Sequence, residues 1–125
     1  MYRFLIVEDN FLMRNMLAQT LRSSFPGSKI REAVNGKQAM ETAEQTPMDL
    51  ILMDIGLPDA NGLDLTRKIK SRMPATRVVL VTMYDGPEYR EKAMENGADR
   101  FLSKRTNSSN DIAQAVKDLI ENGSS

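Results

Sequence analysis

Five short apolar runs alternate with five segments of helical periodicity, and this alternation constrains the fold more than any other feature. The runs are Arg3–Val7, Lys29–Val34, Asp49–Asp54, Arg77–Val81 and Asp99–Ser103. A chain that repeats strand and helix in this way buries its strands by laying them parallel and covering both sheet faces with helices. The third run is the clearest. Leu50, Ile51, Leu52 and Met53 stand between two acids, and turn chemistry follows at Gly56 and Pro58. Such a run reads as a strand buried on both faces. Lys29–Val34 alternates only weakly and reads as a strand near the sheet border.

The helical segments carry their own punctuation. Asn10 is placed to cap a helix through Met13, Met16, Leu17 and Leu21. Asn35-Gly36 opens a second helix with Ala39, Met40 and Ala43 on one face, and Asn61 opens a third with Leu65, Ile69 and Met73 before Pro74. Pro87 suits a first turn and Gly97 a stop for the fourth. Ser108-Ser109-Asn110 offers caps for a fifth, which carries Ile112, Val116, Leu119 and Ile120 and stops at Gly123. The expectation is one domain over 1–125, with 122–125 a tail or the start of a linker.

Composition removes whole classes of chemistry. The chain has no cysteine, so disulfides and thiolate metal sites are excluded. It has no histidine, so any imidazole chemistry belongs to a partner. Lys+Arg and Asp+Glu balance at 17 each, which argues against non-specific binding to nucleic acid or to an anionic membrane. No apolar run approaches the roughly 18 residues of a membrane span. The acids Glu8 and Asp9 follow the first apolar run too soon for a signal peptide. A cytoplasmic domain without membrane contact is expected. The nine methionines are spread along helix faces and read as core filler.

Parallel strands bring their last residues to one edge, where open α/β sheets bind ligands. Strand one ends in Glu8 and Asp9, strand three in Asp54, strand four in Thr82 and strand five in Lys104. Taken singly, each residue has an ordinary role as a cap, a turn residue or an exposed lysine. Together they leave three carboxylates against one ammonium. Two carboxylates about 4 Å apart repel by roughly 4 kcal/mol at an effective dielectric of about 20. Either an acid is protonated or a cation binds. All-oxygen donors suit Mg²⁺. A cation, a lysine and a hydroxyl are equipped to hold phosphoryl oxygens, leaving Asp54 as a nucleophile that becomes an aspartyl phosphate.

Glu8-Asp9, Asp54 with Pro58 and Gly62, Thr82, and Gly97-Ala98 leading to Phe101 and Lys104 resemble the receiver domain of two-component response regulators, in register over essentially the whole chain. The resemblance implies a flavodoxin-like, doubly wound sheet of five parallel strands in the order 2-1-3-4-5 with five helices. It implies that Asp54 accepts a phosphoryl group from a sensor histidine kinase or a histidine phosphotransfer protein. Asp9, Asp54 and the Gly56 carbonyl would hold Mg²⁺, with Glu8 acting through water. Thr82 and Lys104 would bind phosphoryl oxygens. Phe101 would turn inward with Thr82 on phosphorylation and alter the surface of helix four, strand five and helix five. The domain would catalyse only its own phosphorylation and dephosphorylation. Its output would lie elsewhere, as in regulators that reach DNA through a LuxR-type domain outside this chain. Homodimers through helices four and five, or one and five, are compatible, and so is a stand-alone receiver that only docks to proteins.

Three departures stand out. Arg105 follows Lys104 where the family usually has proline, so the Lys104–Arg105 peptide need not be cis. Met83 is bulkier than the usual residue after the threonine and is placed to screen the site. Gly56 and Tyr84 occupy positions that tune dephosphorylation in the family. Two other classes fit less well. A phosphatase or mutase with an aspartyl phosphate would need a second acid at Gly56, and a flavodoxin-like cofactor binder would need a Ser/Thr/Gly loop in place of Glu8-Asp9-Asn10.

Overall fold

Capping side chains start the helices where the sequence places them. In the computed structural model, which describes residues 1–122, Asn10 accepts from the Met13 amide and begins α1 (Phe11–Ser24). Asn35 accepts from the Gln38 amide and begins α2 (Gly36–Gln45), and Asn61 accepts from Leu63 and begins α3 (Gly62–Arg72). Pro87 opens α4 (Pro87–Glu95) without a side-chain cap, and Gly97, at φ 93°, follows it. Ser108 and Asp111 cap α5 (Ser109–Asn122) reciprocally, each side chain bonding the other's amide at 3.1 and 2.9 Å. The expected stop at Gly123 and the trailing residues lie outside the described residues.

Between the helices run β1 (Arg3–Val7), β2 (Lys29–Ala33), β3 (Leu50–Met53), β4 (Arg77–Thr82) and β5 (Arg100–Ser103). All neighbours are parallel and the order is β2-β1-β3-β4-β5. This is the expected topology, with β2 at one border. The register Val7↔Met53 seats β1 beside β3 at the centre. The chain leaves β1 toward one border and β3 toward the other, so a crevice opens at the carboxyl ends of these two strands.

The strand pleat divides the core in two. Leu5, Val7, Ile51, Met53 and Leu80 pack against Ala39, Ala43, Leu65, Ile69 and Ala93 on the α2, α3 and α4 side. Phe4, Ile6, Leu50, Leu52, Val79 and Val81 pack against Leu17, Leu21, Ile112, Val116 and Leu119 on the α1 and α5 side. Each fully buried Leu or Ile contributes about 1.5–3 kcal/mol. The helix α4 is the exception, because Ala93 is its one buried residue. Small apolar burial makes it the helix most easily moved. Among the described residues no helix is long and apolar enough to cross a membrane, and no peptide bond is cis, Lys104–Arg105 included.

Candidate functional site

Sheet register assembles the site. The Asp54 amide donates to the Val7 carbonyl at 3.1 Å, and the Glu8 amide donates to the Ala33 carbonyl at 3.0 Å, so the ladder carries both acids just past their strands. The Lys104 amide donates to the Thr82 carbonyl at 2.9 Å and extends the β4–β5 ladder in the same direction. The Lys104 ammonium then lies 2.6 Å from Glu8 Oε1 and 3.1 Å from Asp54 Oδ2. Glu8 is 1% exposed and Asp54 8%, whereas Asp9 stands in solvent. Carboxylate oxygens of Glu8, Asp9 and Asp54 all come within 4.8 Å of one another.

Burial raises the Glu8 pKa, because the bonds from Lys104 and the Asn10 amide only partly offset desolvation. For Lys104, burial alone would lower the pKa, but the Glu8 hydrogen bond and the charges of Asp54 and Glu8 outweigh it and raise it. One ammonium thus serves two buried carboxylates with a third acid beside them. Asp54 Oδ1 is buried and has no hydrogen-bond partner among the described residues. An orphaned carboxylate oxygen inside an all-oxygen donor set fits a small hard divalent cation.

The expected neighbours fall around this centre. Thr82 is fully buried, and its Oγ1 accepts from the Tyr84 amide at 3.1 Å. Met83 is 53% exposed. The Tyr84 ring lies against Gly56, where an added Cβ would come within 2.7 Å of Tyr84 Cε2. Phe101 is 5% exposed beneath the Arg90 guanidinium, 4.8 Å from its ring centre. The ring therefore lies inside in this structure.

Sequence reasoning singled out Gly62 and Arg105 but not the three supports that they, Asp59, Asp85 and Ser103 provide. Gly62 passes so close to the Asp54 backbone that any side chain there would run into the Asp54 carbonyl oxygen. The Asp59 carboxylate accepts from the Gly36 and Lys37 amides at 2.7 and 3.0 Å and ties the β3–α3 loop to α2. Asp85, Ser103 and Arg105 form one cluster, with Ser103 Oγ donating to Asp85 at 2.6 Å and Arg105 gripping both Asp85 oxygens. Asp85 lies in the β4–α4 loop, Ser103 ends β5 and Arg105 lies just beyond it. The one sequence signal was that they lie at or just past the ends of adjacent strands.

The model of the response regulator receiver domain matches residues 4–117. The chain belongs to the response regulator receiver family. This receiver is 40% identical over 103 residues to the cyclic di-GMP phosphodiesterase of Thermotoga maritima, covering 82% of this chain and 27% of that one. It is 33% identical over 124 residues to the response regulator protein VraR of Staphylococcus saprophyticus, covering 98% and 58% respectively. The receiver thus spans little more than a quarter of one relative and just over half of the other. Among solved structures, a CheY-like receiver from Methanospirillum hungatei superposes at TM-score 0.89 with 26% identity, over 98% of this chain and 95% of that one. A LuxR-family regulator from Aurantimonas does so at 0.85 and 27%, over 96% and 85%. A Burkholderia pseudomallei regulator bearing a phosphorylated aspartic acid and a calcium ion matches at 0.84 and 25%, over 98% and 71%.

Proposed function

We propose that this receiver accepts a phosphoryl group on Asp54 from the phosphohistidine of a sensor kinase or a histidine phosphotransfer protein. The observation that carries the reading is the Asp54 carboxylate itself: one oxygen bonded to Lys104, the other buried without a partner among the described residues, beside two further acids. An Asp54 oxygen attacks phosphorus, the bond from phosphorus to the donor nitrogen breaks, and the donor leaves as a histidine. The donor imidazole must come from a partner, because this chain has none. Phe11 and Leu12, 65% and 75% exposed just beyond Asp9, offer an apolar landing surface for a protein donor.

Each side chain has a task. Lys104 leaves its bond to Asp54 and takes a phosphoryl oxygen, and the Thr82 hydroxyl takes another. Asp9, Asp54 and the Gly56 carbonyl would hold Mg²⁺, with Glu8 reaching it through water. Bound there, Mg²⁺ supplies positive charge against the phosphoryl oxygens. The Burkholderia relative, with its phosphorylated aspartic acid and calcium ion, supports the combination of acceptor and divalent cation.

Phosphorylation brings up to about two negative charges to Asp54. Thr82 is drawn toward them, and the buried placement of Phe101 gains population over outward ones. Arg90, which covers that ring from the weakly packed α4, transmits the change to the α4–β5–α5 surface. The output is transcriptional, through a LuxR-type domain outside this chain, as the LuxR-family neighbour suggests. The setting is the cytoplasm.

The test is a Mg²⁺ titration followed by amide NMR. Shifts concentrated at residues 8–9 and 54–57, weakened at least about tenfold by Asp54→Asn, are expected. A titration that leaves those amides unmoved would overturn the metal assignment.

A further inference from the structure

We propose that Asp85, Ser103 and Arg105 form a latch between the loop that follows Thr82 and the chain that carries Lys104, and that this latch prolongs the phosphorylated state by holding Tyr84 over Gly56. The inference rests on the function proposed above and assigns Asp85 and Arg105 as positioning residues.

The geometry is that of a clamp. Arg105 directly follows Lys104, and its Nε and Nη2 meet Asp85 Oδ2 and Oδ1 at 3.0 and 2.7 Å. A two-point grip of this kind fixes orientation as well as distance. Ser103 Oγ donates to the same carboxylate at 2.6 Å and accepts from the Arg105 amide at 3.1 Å. Ser103 is fixed in turn by Asn107, between β5 and α5, whose Oδ1 accepts from the Ser103 amide at 2.9 Å. Arg105 and Ser103 together hold the Asp85 carboxyl below the usual carboxylate range. The latch is therefore anchored to β5 at one end and closes on the β4–α4 loop at the other.

That loop has few other ties. The Tyr84 amide bonds Thr82 Oγ1 at its start, and the helix beyond it buries Ala93 alone. Asp85 is the next residue after Tyr84. The Tyr84 ring, 48% exposed, lies against Gly56, two residues from Asp54, with its centre 5.4 Å from that of the Tyr89 ring. Holding Asp85 holds that ring over the route by which water reaches the acceptor loop. In hydrolysis a water oxygen bonds to phosphorus and the bond to the Asp54 oxygen breaks. The Asp54 carboxylate and inorganic phosphate are left, with the water proton released to the phosphate.

The experiment loads the full chain with phosphoryl groups and times their loss by intact mass, alongside hydrogen exchange at residues 83–86. Asp85→Ala and Arg105→Ala should each lose phosphate about fivefold faster than the parent. The double alanine variant should be no faster than either single one, because both remove the same contact. The exchanged pair D85R/R105D should return the lifetime to within about twofold of the parent, a rescue that a merely structural role would not give. Exchange at 83–86 should quicken in the single variants and recover in the exchanged pair. Unchanged lifetimes in both single variants, or additive effects in the double, would overturn the proposal. A parent protein that takes no phosphoryl group would overturn the function and, with it, the lifetime claim. Hydrogen exchange then decides the latch alone, since equal exchange in the parent and Arg105→Ala would remove it too.

Discussion

Replacing Gly62 with alanine should damage both the fold and the acceptor, because one methyl presses on the backbone that carries Asp54. The added Cβ would run into the Asp54 carbonyl oxygen and stand 2.8 Å from Asp54 C and from Ile55 Cα. Ordinary carbon contacts lie at about 3.5–4.0 Å, so the chain must open by roughly 0.7 Å or more. The neighbours are backbone atoms, which places the cost near the top of the roughly 1–3 kcal/mol range for overpacking. The Gly62 amide also donates to the Ile55 carbonyl at 2.8 Å. Straining that bond adds up to about 1 kcal/mol, while alanine in a helix returns about 0.5–1 kcal/mol over glycine. The net loss is about 2–3 kcal/mol. With urea slopes of about 1–3 kcal/mol/M, the midpoint should fall by about 0.7–3 M. An acceptor displaced by about 1 Å should also be phosphorylated about a hundredfold more slowly. Equilibrium urea unfolding and a phosphorylation time course measure the two effects. An alanine variant with the parent's midpoint and rate would refute the reasoning.

Lys104→Met leaves Glu8 and Asp54 buried without their cation, and breaking such a pair costs about 3–5 kcal/mol at neutral pH. The Glu8 pKa is raised, so folding gains relative to unfolding as pH falls toward 4.5. Urea midpoints should therefore show a smaller deficit for this variant near pH 5 than at pH 7, and an equal deficit at both would count against the charge account. The Asp59 carboxyl is held low first by the Gly36 amide and then by Lys37, against the opposing effect of burial. Its contribution is present above 3.8 and disappears as pH falls through the lower folded value. The thermal midpoints of Asp59→Asn and the parent should thus differ at pH 7 and converge once the pH has fallen below that lowered value; parallel curves would argue otherwise. Leu52→Ala, at a site 1% exposed, should cost about 2–5 kcal/mol in the same unfolding assay, whereas a loss under about 1 kcal/mol would contradict the two-sided burial of β3.

The fold was legible because its signals are local and periodic. The apolar run Leu50–Met53, the caps Asn10, Asn35 and Asn61, and the stop at Gly97 all state their structure within a few residues. The site was legible for a related reason: parallel strands send consecutive strand ends to one edge, so Glu8, Asp54 and Lys104 met without any knowledge of distance. Contacts between loops were not legible. The Asp85–Arg105 grip depends on how two irregular segments curl after their strands, and no periodicity records that. The need for Gly62 comes from a close approach to Asp54 that only the folded chain creates. The resemblance gave Phe101 a part in switching with Thr82, but its buried placement under Arg90 depends on the position of α4, which no local pattern records.

The most direct test of the central claim is an intact-mass measurement after incubation with Mg²⁺ and a phosphoryl donor, first acetyl phosphate and then a phosphorylated histidine kinase. The account predicts one added phosphoryl group, abolished by chelation and absent in Asp54→Asn. Failure of both donors to modify the parent protein, or an adduct that persists in Asp54→Asn, would contradict it.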